Sequence, residues 1–138
     1  GACLLLDSIK EFNLIKSHRN LIYQTYLKNI NQNKNLRCIQ TYDKNSSEVM
    51  WLFTIITPFK DLLQKKLREK NIETNQVHFR NDRYSIFKKF TKNCKFNNMD
   101  KIQYNYLVLP MHTKMKISDA KRVSSEINKI LDKIQTNK

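Results

Sequence analysis

Residues 49–57 read Val-Met-Trp-Leu-Phe-Thr-Ile-Ile-Thr, and Pro58 follows directly. Successive side chains of a β-strand point to opposite faces, so this stretch would present two apolar faces. One face would carry Trp51, Phe53 and Ile55, and the other Met50, Leu52 and Ile56. Apolar residues on both faces are typical of a central strand that is covered on each side. Because proline is favoured in the first turn of a helix, Pro58 is expected to end the strand and start a helix.

Hydrophobic periodicity predicts the elements around this strand. Apolar residues recur mostly at steps of three or four in three segments, which predicts helices over residues 3–30 and 59–70 and a last helix from Ser118 through Ile134 that is frayed at 136–138. Ser118 is suited to be the N-cap of the last helix. Further elements are expected as strands at 36–42, 72–77 and 106–109, a turn at 43–47, and short helices within 85–95 and at 99–106. The apolar stripes of the three long helices are Leu5, Ile9, Phe12, Ile15, Ile22, Tyr26 and Ile30, then Phe59, Leu62, Leu63 and Leu67, then Ala120, Val123, Ile127, Ile130 or Leu131, and Ile134.

The order of these elements predicts an α/β or α+β fold. We expect a small, mostly antiparallel sheet with the long N-terminal helix and the C-terminal helix packed on it. The 138 residues suit one domain, and the longest apolar run, 50–56, is too short to cross a membrane. A helix over 3–30 is long for such a domain and has no N-cap. We therefore expect it to be a spine that joins the chain to a larger structure.

The net charge of +14 allows two interpretations. It favours a polyanionic partner such as nucleic acid, and a stand-alone basic binding module is one hypothesis for this chain. The composition favours another origin, because 20 lysines, 16 asparagines and 14 isoleucines are what AT-rich codons would give. The lysines are also scattered rather than clustered, so nucleic-acid binding is the less favoured interpretation.

The cysteines and histidines predict neither a disulfide framework nor a metal site. The three cysteines, Cys3, Cys38 and Cys94, are far apart and odd in number, which fits a reducing cytoplasm. The three histidines lie in separate elements, and no pair has the spacing of a helical metal site. His18 is expected at the surface of the long helix, and His112 has a structural or a ligand role.

Residues 76–85 form the best candidate binding site. They read Gln-Val-His-Phe-Arg-Asn-Asp-Arg-Tyr-Ser, a dense set of anion-binding and hydrogen-bonding groups. Arginine suits phosphates, histidine donates or accepts, and tyrosine both stacks and hydrogen-bonds. The alternative is that Arg80, Asp82 and Arg83 form a salt-bridged surface loop of an interaction domain that has no ligand. With a single glycine, no phosphate loop is possible, and we predict no catalytic, cofactor-binding or metal-binding residue.

Several stretches, taken in order, resemble the C-terminal part of the DegT/DnrJ/StrS sugar aminotransferases. They are Trp-Leu-Phe-Thr-Ile at 51–55, Leu-Arg-Glu-Lys-Asn-Ile-Glu-Thr at 67–74, Val-His-Phe at 77–79, Tyr-Leu-Val-Leu-Pro-Met-His at 106–112, and the helix from Ser118. The start of the long helix, with Ala2 to Leu6 and Ile9, is similar to that family as well. The resemblance covers nearly the whole chain.

The resemblance implies a fold-type-I enzyme that depends on pyridoxal phosphate (PLP). Such enzymes move an amino group from glutamate to the keto group of a nucleotide-linked sugar, in the cytoplasm and as homodimers. In that family a large N-terminal domain carries the cofactor lysine. The chain is therefore expected to be a C-terminal fragment, with residues 1–30 as a linking helix and 31–138 as the small domain, unable alone to bind PLP or to transfer an amino group. The substrate-binding residues that the resemblance implies are His78, Phe79, Arg80, Asn81, Arg83 and Tyr84.

Overall fold

A computed structural model describes residues 5–6, 9–40 and 50–136 of the chain. The elements in chain order are α1 (Phe12–Asn29), β1 (Arg37–Cys38), β2 (Phe53–Ile56), α2 (Lys60–Arg68), two 3-10 turns (Asn81–Arg83 and Ser85–Phe87), α3 (Lys88–Thr91), α4 (Asn97–Ile102), β3 (Tyr106–Leu109) and α5 (Ile117–Thr136). Residues 5–6 and 9–10 are helical as well. Within these described ranges, no helix combines the length and the apolar character that a membrane span needs.

The three strands form one antiparallel sheet in the order β1-β2-β3. Phe53 lies opposite Leu109, and Ile56 lies opposite Tyr106. The predicted fold class is confirmed, and so is the central position of the strand within 49–57. Trp51 was expected on the buried face, and this is wrong, because the ladder begins only at Phe53 and leaves Trp51 61% exposed.

One face of the sheet and the three long helices enclose the apolar core. Phe53 and Ile55 are fully buried there, and the ring of Tyr26 from α1 lies with its centroid 4.8 Å from that of Phe53. The Tyr26 hydroxyl donates a hydrogen bond of 2.7 Å to the Pro110 carbonyl, which ties α1 to the end of β3. Helix α5 contacts both α1 and α2. As predicted, its inward residues are Ala120, Val123, Ile127 and Leu131.

Helix α1 is buried only along its second half. Ile22 and Tyr26 lie in the core, whereas Leu5, Ile9 and Phe12 of the predicted stripe are exposed. The side chain of Asn128 joins this buried end to α5, because its amide donates to the Asn29 carbonyl and its oxygen accepts from the Asn31 N–H. The first half of the helix therefore presents apolar side chains that this domain does not cover.

Several predicted elements differ in the structure. The short helix predicted at 99–106 lies at Asn97–Ile102. Residues 72–77 are no strand, because only Asn75 pairs with β3, through a single bridge to Val108. Strand β1 is shorter than the predicted 36–42, and the predicted turn at 43–47 lies outside the described residues. Ser118 does not cap α5, since the helix begins at Ile117 and the Asp119 carboxylate accepts the N–H of Lys116 at 2.8 Å. Leu62 of the second stripe is 42% exposed.

Helix α2 ends at a residue in the left-handed conformation. Asn71 has φ 55°, and the N–H of Ile72 reaches back to the Leu67 carbonyl at 3.0 Å. This is the bonding of a Schellman C-cap, in which asparagine is tolerated next to the preferred glycine. The cap turns the chain sharply into the extended run that leads to the candidate site.

Candidate functional site

The loop at 76–85 begins on the second face of the sheet. The Tyr106 hydroxyl donates to the His78 carbonyl at 2.9 Å, and the Gln76 amide donates to the Gln103 carbonyl. Lys60 at the start of α2 reaches the Gln76 side chain at 3.5 Å. The Val77–His78 peptide bond is cis. Strand β3 and the residues just before it therefore fix the start of the loop.

Arg80 holds the loop to helix α4. Its Nε and Nη2 atoms donate to the two carboxylate oxygens of Asp82 at 2.8 and 2.7 Å, and its Nη1 donates to Asp100 Oδ1 at 2.5 Å. The Arg80 side chain is only 6% exposed, and its guanidinium carbon lies 6.0 Å from the centre of the Phe96 ring. We call the unit of Arg80, Asp82 and Asp100 the arginine clasp.

The clasp changes the ionisation of its members in the direction that charge pairing dictates. The hydrogen bonds from Arg80 lower the pKa of Asp82, and those to Asp82 and Asp100 raise the pKa of Arg80. The alternative hypothesis of a salt-bridged loop therefore fits Arg80, which pairs with two carboxylates. Sequence reasoning missed Asp100, because no local pattern links it to a residue twenty positions earlier.

Arg83 is the second arginine of the loop and is held more loosely. Its Nε lies 3.8 Å from Asp82 Oδ2 and its Nη2 lies 3.7 Å from Asp100 Oδ1, both beyond hydrogen-bond distance. Its side chain is 52% exposed. Arg83 is thus attracted to both carboxylates that Arg80 binds at short range, and about half of its side chain remains accessible to solvent.

The other predicted residues lie around the same loop and are exposed. The Phe79 and Tyr84 rings meet edge to face with centroids 5.1 Å apart, and the His78 ring lies 5.8 Å from that of Trp51. Asn81 opens the 3-10 turn and is exposed as well. The structure thus brings all six predicted substrate-binding residues together. Of these, it turns Arg80 inward and leaves the rest accessible.

Two cavities adjoin the loop. The smaller, of about 300 Å³, is lined by Gln76, His78, Phe79, Arg80, Arg83, Gln103, Tyr104 and Tyr106. The larger, of about 790 Å³, lies between the loop and the second face of the sheet and is mainly apolar. Tyr104 is 69% exposed at the smaller cavity, and sequence reasoning missed it because it fell inside the helix predicted at 99–106.

The residues around the loop do not fit PLP. This cofactor forms its covalent link to a lysine, and neither cavity beside the loop has a lysine in its lining. Among the residues with described positions, no cluster of His, Cys, Asp or Glu could hold a metal ion. The other two histidines lie elsewhere: His18, expected at the surface of the long helix, is half-buried on α1, and His112 is exposed after β3.

The second half of the loop and the residues after it, up to 105, are held to the domain without buried side chains. Every side chain of residues 81–105 is exposed or half-buried. Phe90 and Tyr104 in this segment face outward, and so does Phe79 just before it. The arginine clasp and the half-buried Met99 and Ile102 place this segment against the sheet. Hydrogen bonds to the Gln103 carbonyl from Gln76 and to the Asn105 carbonyl from the Thr57 N–H hold its end.

The fold is that of the smaller part of sugar aminotransferases. The chain is similar to S. venezuelae DesV, solved in complex with a ketimine intermediate (TM-score 0.82, 17% identity, 93% of this chain and 35% of that one). It is also similar to the sugar aminotransferase CalS13 from Micromonospora echinospora (TM-score 0.79, 14% identity, 90% and 33%). A third similar structure is Helicobacter pylori PseC, an aminotransferase involved in the biosynthesis of pseudoaminic acid (TM-score 0.78, 17% identity, 93% and 36%). The chain thus spans about a third of the length of these structures.

Residues 1–128 match the sequence profile of the DegT/DnrJ/EryC1/StrS aminotransferases. The chain belongs to the DegT/DnrJ/EryC1/StrS aminotransferase family. The resemblance noted in the sequence is confirmed, and this family is PLP-dependent. No curated protein matches the chain in sequence.

Proposed function

We propose that this chain is the C-terminal small domain of an enzyme that moves an amino group from glutamate to a keto sugar linked to a nucleotide. Residues 1–30 form the linking helix and 31–138 the small domain. The intact enzyme is a cytoplasmic homodimer, and its PLP is held by residues other than those described here. Family membership and the shared fold support this proposal.

The observation that supports the substrate-binding role is a difference between the two arginines of the loop: Arg80 is buried in the clasp, and Arg83 is half exposed. The arginine clasp fixes the loop, and Arg83 remains exposed beside the smaller cavity. A guanidinium fork binds a diphosphate in a bidentate manner, and the half-exposed Arg83 would exchange its longer ion pairs with Asp82 and Asp100 for such a group. Arg80 is therefore a positioning residue, whereas Arg83 contacts the anionic part of the substrate.

The remaining loop residues supply the other contacts that a nucleotide sugar needs. Phe79 and Tyr84 offer exposed rings for apolar and stacking contact, and His78 and Asn81 offer donors and acceptors for sugar hydroxyls. None of these side chains is placed to carry out the amino transfer. Because neither cavity beside the loop has a lysine in its lining, the reacting carbon of the substrate has to extend away from the loop toward the PLP.

The sequence that precedes Gly1 in the gene is the first test. The proposal requires an upstream reading frame that encodes a large domain with a lysine for PLP. A gene in which a stop codon lies directly upstream and the start codon lies next to the codon for Gly1 would contradict the proposal.

The second test uses the enzyme made from that complete gene. It should transfer an amino group from glutamate to a nucleotide-linked keto sugar, detected as the amino sugar by mass spectrometry. Activity on free keto sugars with equal efficiency would contradict the role of the anionic group and of Arg83. The alternative of a stand-alone module for nucleic acid finds no support in the comparisons.

A further inference from the structure

A groove on the helical layer shares no lining residue with the cavities beside the loop. It lies between α2 and α5 and has a volume of about 550 Å³. Its floor is apolar and consists of Leu62, Ile130 and Ile134. Leu62 is exposed, and the two isoleucines are partly buried against the core. The walls carry six charged side chains: Lys66, Glu69, Lys70, Glu126, Lys129 and Lys133.

The lining residues repeat with helical spacing. Glu126, Ile130 and Ile134 follow one another at steps of four along α5. Lys129 and Lys133 form a parallel row, and Lys66 and Lys70 follow Leu62 at the same step. Residues four apart lie on one face of a helix, so Ile130 and Ile134 form an apolar row on α5 beside the row of Lys129 and Lys133. Lys66 continues the row of Leu62 on α2, and Lys70 lies just beyond the end of that helix.

The charge of the groove is positive after its internal pairs are formed. Glu69 bonds Lys66 at 2.9 Å, and Glu126 bonds Lys129 at 2.9 Å. These lysines lower the pKa of both carboxyl groups. Within the described part of the chain, no salt bridge involves Lys70 or Lys133. Lys70 is attracted to Glu69 and Glu126 at longer range, and because four lysines face two glutamates the lining keeps a net charge of +2.

We propose that this groove binds an acidic amphipathic segment of a partner protein. Apolar side chains of the partner would cover Leu62, Ile130 and Ile134, and its carboxylates would pair with Lys70 and Lys133. The homodimer proposed above would use another surface, since a second copy with a net charge of +14 is a poor match for a groove that is itself positive. Nucleic acid would use the lysines and leave the apolar floor uncovered. This inference does not depend on the aminotransferase activity.

The test measures fluorescence anisotropy of a labelled peptide with the 138-residue chain. The probe is an amphipathic peptide with leucine at helical spacing and glutamate at the other positions. Two control peptides replace each leucine or each glutamate by glutamine. We expect both controls to bind at least about tenfold more weakly than the probe. Equally tight binding by the leucine-free peptide would reduce the interaction to charge attraction and would overturn the proposal.

Matched variants locate the binding surface. Lys70→Glu with Lys133→Glu should weaken probe binding by at least about tenfold. Lys92→Glu with Lys95→Glu on the far segment lowers the net charge equally and should change binding by less than about twofold. An equal loss of probe binding in both variants would refute the proposal that the peptide binds in the groove. Tighter binding of an oligothymidylate than of the probe would refute it as well. Leu62→Gln tests the floor without a charge change, and circular dichroism verifies the fold of each variant.

Discussion

Replacing Phe53 by alanine should cost this domain a large share of its stability. Phe53 is fully buried on the central strand, with its ring centroid 5.0 Å from that of Tyr23 and 4.8 Å from that of Tyr26. Burial of a phenylalanine contributes about 1.5–3 kcal/mol, and each aromatic pair adds about 0.5–1.5 kcal/mol. Because the two tyrosines cannot close the space left behind, we expect a loss of about 3–5 kcal/mol in the free energy of unfolding.

Urea unfolding followed by far-ultraviolet circular dichroism measures this loss. With a denaturant dependence of about 2 kcal/mol per molar, the midpoint of the Phe53→Ala variant should fall by about 2 M. Trp51→Ala is the matched control, since Trp51 precedes the ladder and is exposed. It should change the free energy of unfolding by less than about 0.5 kcal/mol. A similar loss in both variants would refute the assignment of the buried face.

Four other perturbations test the site, the C-cap, a buried thiol and the cofactor. In the intact enzyme, Arg83→Ala should raise KM about tenfold with kcat nearly unchanged, while Lys92→Ala leaves both unchanged. Asn71→Ala should lose about 1–2 kcal/mol in urea unfolding and Asn71→Gly almost nothing, because the position has φ 55°. Burial raises the pKa of the Cys38 thiol from 9.0 to about 11. The stability that this thiol contributes is therefore complete below pH 9.0 and falls by about 2 kcal/mol by pH 11. Cys38→Ala should not show this loss. The purified 138-residue chain should show no absorbance band of bound PLP and no amino transfer.

Distinct outcomes would contradict each of these expectations. A fall in kcat with unchanged KM would move Arg83 from binding to the chemical step. Equal stability of both Asn71 variants would remove the left-handed cap. Identical pH dependence of the wild type and Cys38→Ala would show that this thiol does not couple to folding. A PLP band in the chain alone would show that these residues hold the cofactor.

The apolar pattern predicted the sheet and its helices because burial is periodic. Tyr106–Leu109 and the inward row of α5 follow directly from that rule. The same rule failed at Trp51, because alternation predicts which residues share a face and not where the ladder starts. It failed again at 72–77, where Asn75 bonds β3 but its neighbours do not continue the pairing.

The composition of the candidate loop could be predicted, but its internal pairing could not. Both arginines looked equivalent in sequence, since each has a nearby aspartate. The structure separates them by distance, because Asp100 on α4 lies 2.5 Å from Arg80 and 3.7 Å from Arg83. With 12 acidic residues in the chain, only the folded geometry selects this partner.

The lack of fully buried side chains across 81–105 has an evolutionary consequence. Exposed positions tolerate substitution with changes in folding free energy that are mostly within about 0.5 kcal/mol. Mutations in this segment can therefore accumulate while the core under the sheet stays intact. Provided that Asp82 and Asp100 are kept for the clasp, related enzymes could differ in the residues between these two positions and in the length of that segment.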